Sequence, residues 1–342
     1  MEISNQVLVD WRREFHAWPE PGWAEFVTTA KIIERLEALG YKVSTGTKVI
    51  NPEFIRGRSQ AVVDKGLAGA REHGISEEIL KRMEGYTGCM AEIDTGKPGP
   101  VMALRFELDC VYVQETANSD HTPLKEGFAS SNAGCMHACG HDGHMAIGLG
   151  VANWIVDNLS SLKGKIKLLF QPAEEGVRGA RPMAESGILD DVNYFACSHL
   201  GCDVPSGTLI AAPADYLCTL KMDLRFKGKP AHAGMNPHLG KSALAAACAA
   251  VGQILGISTH GEGMTRVNVG VLRAGEGRNV IPSTAVMQIE ARGAPEKINN
   301  DMIEEAPRRA NGAAQSYGAE MEVAGMGEGV DIVADEQTTG KG

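Results

Sequence analysis

Three short apolar runs, two of them ending at metal-binding side chains, constrain what this chain can fold into. They are Pro100-Val101-Met102-Ala103-Leu104-Arg105-Phe106, Lys165-Ile166-Lys167-Leu168-Leu169-Phe170 and Tyr194-Phe195-Ala196-Cys197-Ser198. Apolar runs of this length bounded by turn residues read as buried strands. With helix-period stretches between them, they imply an open α/β sheet. Such sheets bind ligands beyond the carboxyl ends of their strands. The second run leads into Gln171-Pro172-Ala173-Glu174-Glu175-Gly176 and the third into His199.

Between the first two runs lies Met136-His137-Ala138-Cys139-Gly140-His141-Asp142-Gly143-His144, with a thiol, three imidazoles and a carboxylate in nine residues. Soft and borderline ligands of this kind suit Zn²⁺, Mn²⁺, Co²⁺ or Fe²⁺ rather than Ca²⁺. Of two adjacent carboxylates such as Glu174 and Glu175, one can ligate while the other moves protons, which is what metal-assisted hydrolysis requires. His137 and His144 read as supporting or helix-start residues, and Asp142 as a residue that orients a ligand or caps the helix after it. His73, His121, His238 and His260 stand alone in the sequence and read as ordinary surface or core histidines.

The remaining patterns set the organisation. Residues 5–40 read as two helices broken at Pro19, Pro21 and Gly22, and Gly40 to Val43 begins a strand. Residues 51–86 form a polar insertion with a helical stretch near 76–84, and a helix runs from His144 to Asn158. From about residue 213 the character changes. Leu220 to Phe226 alternates like a half-exposed antiparallel strand, and a helix of small residues follows from Ser242 to Ile254. Strands near 265–273 and 283–291, a helix over 296–317 and a strand at 319–324 complete a β-α-β-β-α-β order, that of a ferredoxin-like domain. The Ala-rich helix is expected to pack on its own sheet. The expected division is 1–212, 213–325 and a polar tail at 326–342.

A net charge of −10 without a basic run excludes a nucleic-acid surface, and no apolar stretch approaches membrane-spanning length. The N-terminal residues show no basic region followed by an apolar stretch, so the expected setting is a cytoplasm with reduced thiols. Of the eight cysteines, Cys89, Cys197, Cys218 and Cys248 are expected to fill core. Cys135 and Cys139 are four apart, but no second cysteine pair completes a structural zinc knuckle.

Taken in order, the 136–144 and 171–176 segments, His199, Ala231-His232-Ala233-Gly234 and Gly277-Arg278-Asn279-Val280-Ile281-Pro282 resemble the dinuclear metallo-aminoacylase and carboxypeptidase amidohydrolases. The resemblance is closest to the branch that cleaves p-aminobenzoyl-glutamate. It is carried there by Trp11-Arg12-Arg13-Glu14-Phe15-His16, the 51–86 insertion, Phe128 to Gly134, Gly179-Ala180-Arg181 and Arg266 to Val271. The resemblance implies two divalent ions, Mn or Zn, held by Cys139, His141, Glu175 and His199, with Glu174 as general base. It implies a lid and dimerisation role for the smaller domain, from which His232 would stabilise the oxyanion in the partner subunit's site. Asn279 and Arg292 would grip the substrate's carboxylate or carbonyl. The implied partners are a small N-acyl amino acid and a second subunit, identical or homologous.

Two departures qualify the match. The family carries a further ligand histidine near its C-terminus, whereas the last histidine here is His260 and the chain closes on Thr338-Thr339-Gly340-Lys341-Gly342. The expectation is therefore of a catalytic domain lacking its final elements. Its rival reading is a non-catalytic homologue that serves as a binding or scaffold subunit. The other departure is Glu107-Leu108-Asp109-Cys110, where the family shows two aspartates and a small residue.

Overall fold

The structure, a computed structural model, describes residues 3–201, 204–210 and 217–330. The chain forms two compact units, one up to Ser206 and one from Gly207. The boundary expected at 212–213 lies outside the described residues; of the polar tail expected at 326–342, residues up to Gly329 belong to the last strand instead, and those from 331 onward lie outside the described residues.

The first unit contains α1 (Asn5–Ala17), α2 (Phe26–Ala38), β1 (Lys42–Ser44), α3 (Gln60–Glu72), α4 (Glu77–Met83), β2 (Cys89–Asp94) and β3 (Val101–Glu107). It continues with α5 (Thr122–Lys125), α6 (His141–Asp157), β4 (Lys165–Gln171), α7 (Ala180–Met183) and β5 (Tyr194–Cys197). The sheet order is β1-β2-β4-β3-β5. Both β3–β4 and β3–β5 are parallel, and β2 is antiparallel to β1 and to β4. Four of the five strands therefore point the same way, which gives the mostly parallel α/β sheet expected.

Register positions the site. Glu107 lies opposite Gln171, and Arg105 opposite Cys197, so three strands release their chains at one edge. Leu108 N still donates to Gln171 O (3.1 Å), holding the first two exits together beyond the sheet. Phe106 and Phe170 pack with ring centroids 5.4 Å apart beneath α6. The helix sits close because Gly148 faces those rings: a Cβ there would lie 2.8 Å from Phe170 Cε1 and 2.9 Å from Phe106 Cγ. Close packing of this kind fixes where the first turn of α6, with His141, must stand.

The second unit contains β6 (Cys218–Lys227), α8 (Ala243–Leu255), β7 (Met264–Ala274), β8 (Thr284–Ala294), α9 (Glu296–Ser316) and β9 (Glu320–Gly329). Its antiparallel sheet has the order β7-β8-β6-β9, the ferredoxin-like arrangement. Ala243, Ala246, Ala247 and Ala250 of α8 and Ala306, Ala310, Ala313 and Ala314 of α9 are buried against it, and their small side chains let the helices lie close. Ser242 caps α8 by accepting from Ala245 N (3.1 Å).

Several local expectations change. Helix α3 and strand β2 arise where the sequence showed only polar insertion or no clear period; α3 buries just Val63 and Ala70, too little to mark a stripe. Helix α6 begins at His141, three residues earlier than the apolar pattern, and β9 runs on to Gly329. Cys197 and Cys248 are exposed and fill no core: the first ends β5, whose residues are all exposed, and the second lies on the outer side of α8. No helix among the described residues is long and apolar enough to cross a membrane.

One buried carboxyl carries a pH dependence. Glu20 accepts from Val27 N (3.1 Å) and Thr28 N (2.8 Å) at the start of α2, and complete burial pushes it up to about 7. A carboxyl held above its unfolded value stabilises the fold less as pH rises from the unfolded value towards the folded one. Glu20→Gln is expected to remove a decline of roughly 3 kcal/mol between pH about 4.5 and 7. Urea unfolding of both chains at the two ends of that window checks it; equal slopes against pH would refute it.

Candidate metal centre

The exits of β3, β4 and β5 and the first turn of α6 bring the ligand-type side chains together. Donor atoms of Cys139, His141 and His199 lie within 4.8 Å of one another, and so do those of His141, Glu174 and Glu175. His141 belongs to both sets, so the two triads meet at one corner. Cys139 Sγ is 3.5 Å from His199 Nε2, and His141 Nε2 is 3.7 Å from Glu174 Oε2.

Backbone carbonyls orient both imidazoles. A carbonyl only accepts, so His141 Nδ1 donates to Asp109 O (2.7 Å) and His199 Nδ1 donates to Leu200 O (2.7 Å). Each Nε2 is thereby turned towards the cluster, as ligand histidines require. His141 Nε2 and Glu175 Oε1 are buried without a hydrogen-bond partner among the described residues. Buried polar atoms are almost always satisfied, so this donor set fits a divalent cation.

Asp109, noted in the sequence only as part of the departure at 107–110, receives its role from the structure. It is wholly buried, and its carboxylate accepts from Glu174 N (3.0 Å) and Glu175 N (2.9 Å). Glu25, also buried, accepts from the preceding Ala173 N (2.8 Å) and from Thr87 Oγ1 (2.6 Å). Three successive backbone N–H groups are thus caught by two carboxylates, and Ala173 takes a left-handed φ of 50° to allow it. A charged residue just past a buried strand was the available signal for Asp109.

Further support surrounds the triads. His144 Nδ1 donates to Glu107 Oε2 (2.6 Å) while its Nε2 accepts from Leu200 N (2.8 Å), tying the β3 exit to the His199 loop. Asp142 accepts from Gly143 N (2.9 Å) in the first turn of α6 and meets His16 Nδ1 and Arg12 Nε, each at 2.8 Å. It lies inside the first turn, where Gly140 is the N-cap, so the expected capping role is not met; it anchors α1 instead, and among the described residues it bonds to no ligand-type side chain of the two triads. His137 is buried with neither ring nitrogen partnered among the described residues.

The electrostatics favour a cation. Burial opposes charge on His141, but the Asp109 hydrogen bond and charge, with Glu107 and Glu174, raise it to about 9. Burial and the charges of Glu175, Glu174 and Glu107 push the Cys139 thiol up to about 12. The field that protonates both groups would equally hold a divalent ion, which would displace those protons. Glu174 is raised by burial and by the Asp109 charge. It remains about one-third exposed, leaving a water room beside it.

His232 and Asn279 adjoin in the second unit. His232 bridges Val280, and Ala233 N donates to Asn279 O (2.9 Å). His232 Nδ1 accepts from Gly234 N (3.2 Å) and Met235 N (3.1 Å), so the proton sits on its exposed Nε2. Arg292 lies on β8 and is half exposed, with a terminal nitrogen donating to Glu290 (3.0 Å).

The profile of peptidase family M20/M25/M40 matches residues 103–328. A Haemophilus influenzae protein named as a p-aminobenzoyl-glutamate hydrolase homolog is 55% identical over 98% of this chain and 79% of its own length. The indole-3-acetyl-aspartic acid hydrolase of Enterobacter agglomerans is 44% identical over 94% of this chain and 74% of its own length. Among solved structures, an aminobenzoyl-glutamate utilization protein from Klebsiella pneumoniae superposes with a TM-score of 0.86 at 38% identity, covering 98% of this chain and 79% of that one. A dinuclear metal binding peptidase of the M20 family from Bacillus subtilis gives 0.61 at 26% identity, with 98% and 79% covered.

Proposed function

This chain belongs to peptidase family M20/M25/M40 and is a metal-dependent amidohydrolase; from that premise we propose that it cleaves p-aminobenzoyl-glutamate to p-aminobenzoate and glutamate. The observation that carries the reading is the pair of triads sharing His141, with Glu174 open to a water at their rim. The branch of the family represented by the Haemophilus relative supports the choice of substrate.

In this reading Cys139, His141, Glu175 and His199 hold two divalent ions, Mn²⁺ or Zn²⁺. When bound, the ions supply Lewis acidity that polarises the amide carbonyl and makes water a nucleophile near neutral pH. Glu174 takes the proton from the attacking water at its free carboxylate oxygen. It later delivers that proton to the amine nitrogen of the departing glutamate. Asp109 keeps the two glutamates at fixed stations throughout, through backbone bonds that the reaction leaves untouched.

His232 donates from Nε2 to the developing oxyanion of the partner subunit's site, and its Nδ1 bonds hold the ring in the tautomer that this needs. Asn279 beside it grips the substrate's carbonyl or carboxylate. Arg292 does the same by exchanging its contact with Glu290 for the substrate carboxylate, a match suited to the guanidinium fork. The smaller unit serves as lid and dimerisation domain, in a homodimer or with a homologous second chain. We place the enzyme in a cytoplasm, in keeping with its eight cysteines.

Rates on p-aminobenzoyl-glutamate, indole-3-acetyl-aspartate and an N-acetyl amino acid, after loading with Mn²⁺ or Zn²⁺, test the substrate. The first is expected to exceed the others in kcat/KM by about tenfold or more, the discrimination that a few well-placed contacts supply. Equal rates would leave the hydrolase and remove the specificity. Elemental analysis of the same samples is expected to give two ions per chain.

A further inference from the structure

The turn that carries the two glutamates is strained. Val177 N donates to Glu174 O (2.7 Å), and Arg178 N and Gly179 N both donate to Ala173 O (3.1 and 2.9 Å). In the closed turn Ala173 stands at φ 50° and Val177 at φ 62°. The left-handed region is costly for a β-branched residue, and such a conformation persists only where surrounding contacts impose it. Gly179 fits the turn because it has no side chain: a Cβ there would lie 1.7 Å from Pro172 O.

One of the imposing contacts comes from a side chain with no part in the chemistry above, that of Arg178. Its Nε donates to Glu175 O (2.9 Å) and its Nη1 to Gly57 O (3.1 Å), which belongs to the 51–86 insertion. Its Nη2 lies over Gly22, where a Cβ would stand 2.5 Å away. Next to Gly22, Trp23 takes φ 72° and donates its ring N–H to Arg56 O (2.9 Å). Two side chains thus fasten consecutive carbonyls of the insertion, and Arg178 carries the connection on to the glutamate turn. Residue 175 is held at both ends of its backbone, its N–H by the Asp109 carboxylate (2.9 Å) and its C=O by Arg178.

We propose that Arg178 is a positioning residue: its guanidinium clamps the carbonyl of Glu175 to the 51–86 insertion and so sets where the Glu175 and Glu174 carboxylates stand. The role rests on the reading of both glutamates given above. A planar guanidinium offers donors to two carbonyls at a fixed separation, which an ammonium on a flexible stem does not reproduce. Without the clamp, Val177 is free to relax towards an ordinary φ and to swing residue 175 with it. Asp109 still holds the N–H of Glu175, so the turn shifts while the sheet beneath it stays folded. The insertion thereby supports the metal centre although none of its side chains belongs to either triad.

Arg178→Ala and Arg178→Lys chains, set beside the unaltered chain, test this with three readouts. They are hydrogen–deuterium exchange of the 173–178 backbone without metal, Zn²⁺ affinity by titration calorimetry, and kcat and KM on p-aminobenzoyl-glutamate at saturating metal. Arg178→Ala is expected to exchange faster at the turn and unchanged in β3 and β4. It should bind Zn²⁺ about 10–100-fold more weakly, the cost of removing support behind a ligand. Its kcat should fall with KM unchanged, the mark of a displaced reacting group and not of lost substrate binding. Arg178→Lys should keep most of these losses. Unchanged Zn²⁺ affinity in Arg178→Ala, exchange that rises throughout the first unit, or full recovery in Arg178→Lys would each overturn the proposal. An unaltered chain that binds no Zn²⁺ would remove the metal-centre reading and this role with it, whereas normal binding in both the unaltered and Arg178→Ala chains would remove the role alone.

Discussion

In a Glu174→Gln chain, turnover of p-aminobenzoyl-glutamate is expected to fall by roughly 10²–10⁴-fold, the usual contribution of a positioned general base, while two metals remain bound. The substitution keeps the side chain's shape and removes only its ability to take a proton. It also leaves the loop in place, because Asp109 holds residue 174 by its backbone N–H and not by its carboxylate. The control lies next door: Glu175→Gln should cost metal as well as rate, since Glu175 has a buried oxygen with no hydrogen-bond partner among the described residues. Metal titration and single-turnover rates on both chains separate the roles. If Glu174→Gln lost metal and Glu175→Gln did not, the assignments would be reversed.

The other large effect is expected at Asp109. An asparagine there offers one acceptor where two backbone donors converge, and turns an N–H₂ towards the second. Leaving a buried donor unsatisfied costs about 1–3 kcal/mol, so Asp109→Asn should lose stability on that scale. Its metal affinity should fall by about 10–100-fold, as when support beneath a ligand is removed. Urea unfolding without metal and isothermal titration with Zn²⁺ read the two effects independently. Affinity that stays at the wild-type value would mean that Glu25 and the other holds on the glutamate turn suffice.

How much of this was legible from sequence depends on what each residue leans on. Glu174, Glu175 and His199 announced themselves because each follows an apolar run, and strand ends are local features. The His cluster was legible from spacing alone, and the β-α-β-β-α-β order of the second unit from period alone. Asp109 and Glu25 were not, because their partners are backbone N–H groups 65 and 148 residues away. The place of Asp109 just past a strand marks it as a residue to watch, but no local pattern encodes which backbone groups it or Glu25 will hold. Helix α3 escaped for a different reason: it buries two residues, Val63 and Ala70, and an almost wholly polar helix has no stripe to read. Cys197 and Cys248 misled because apolar neighbours in sequence need not be neighbours across a sheet or helix face. His232 and Asn279 gave a paired signal in two short motifs, and the antiparallel bridge between His232 and Val280 brings the motifs side by side.

The bonds of Glu25 and Asp109 to the glutamate turn also fix the order in which the molecule can come into being. Loop closure over such separations is slow relative to forming a helix, because chain entropy is lost before contacts return it. Helices α1 to α4 and the 136–144 segment can be present while the turn at 173–175 has nothing to catch it. On a ribosome, His199 is the last of the five clustered donors to emerge, and neither triad with Asp109 beneath it exists until β4 has inserted between β2 and β3. An ion that needs a complete triad would therefore find its site only on a finished sheet, as a late occupant that locks in a topology already reached.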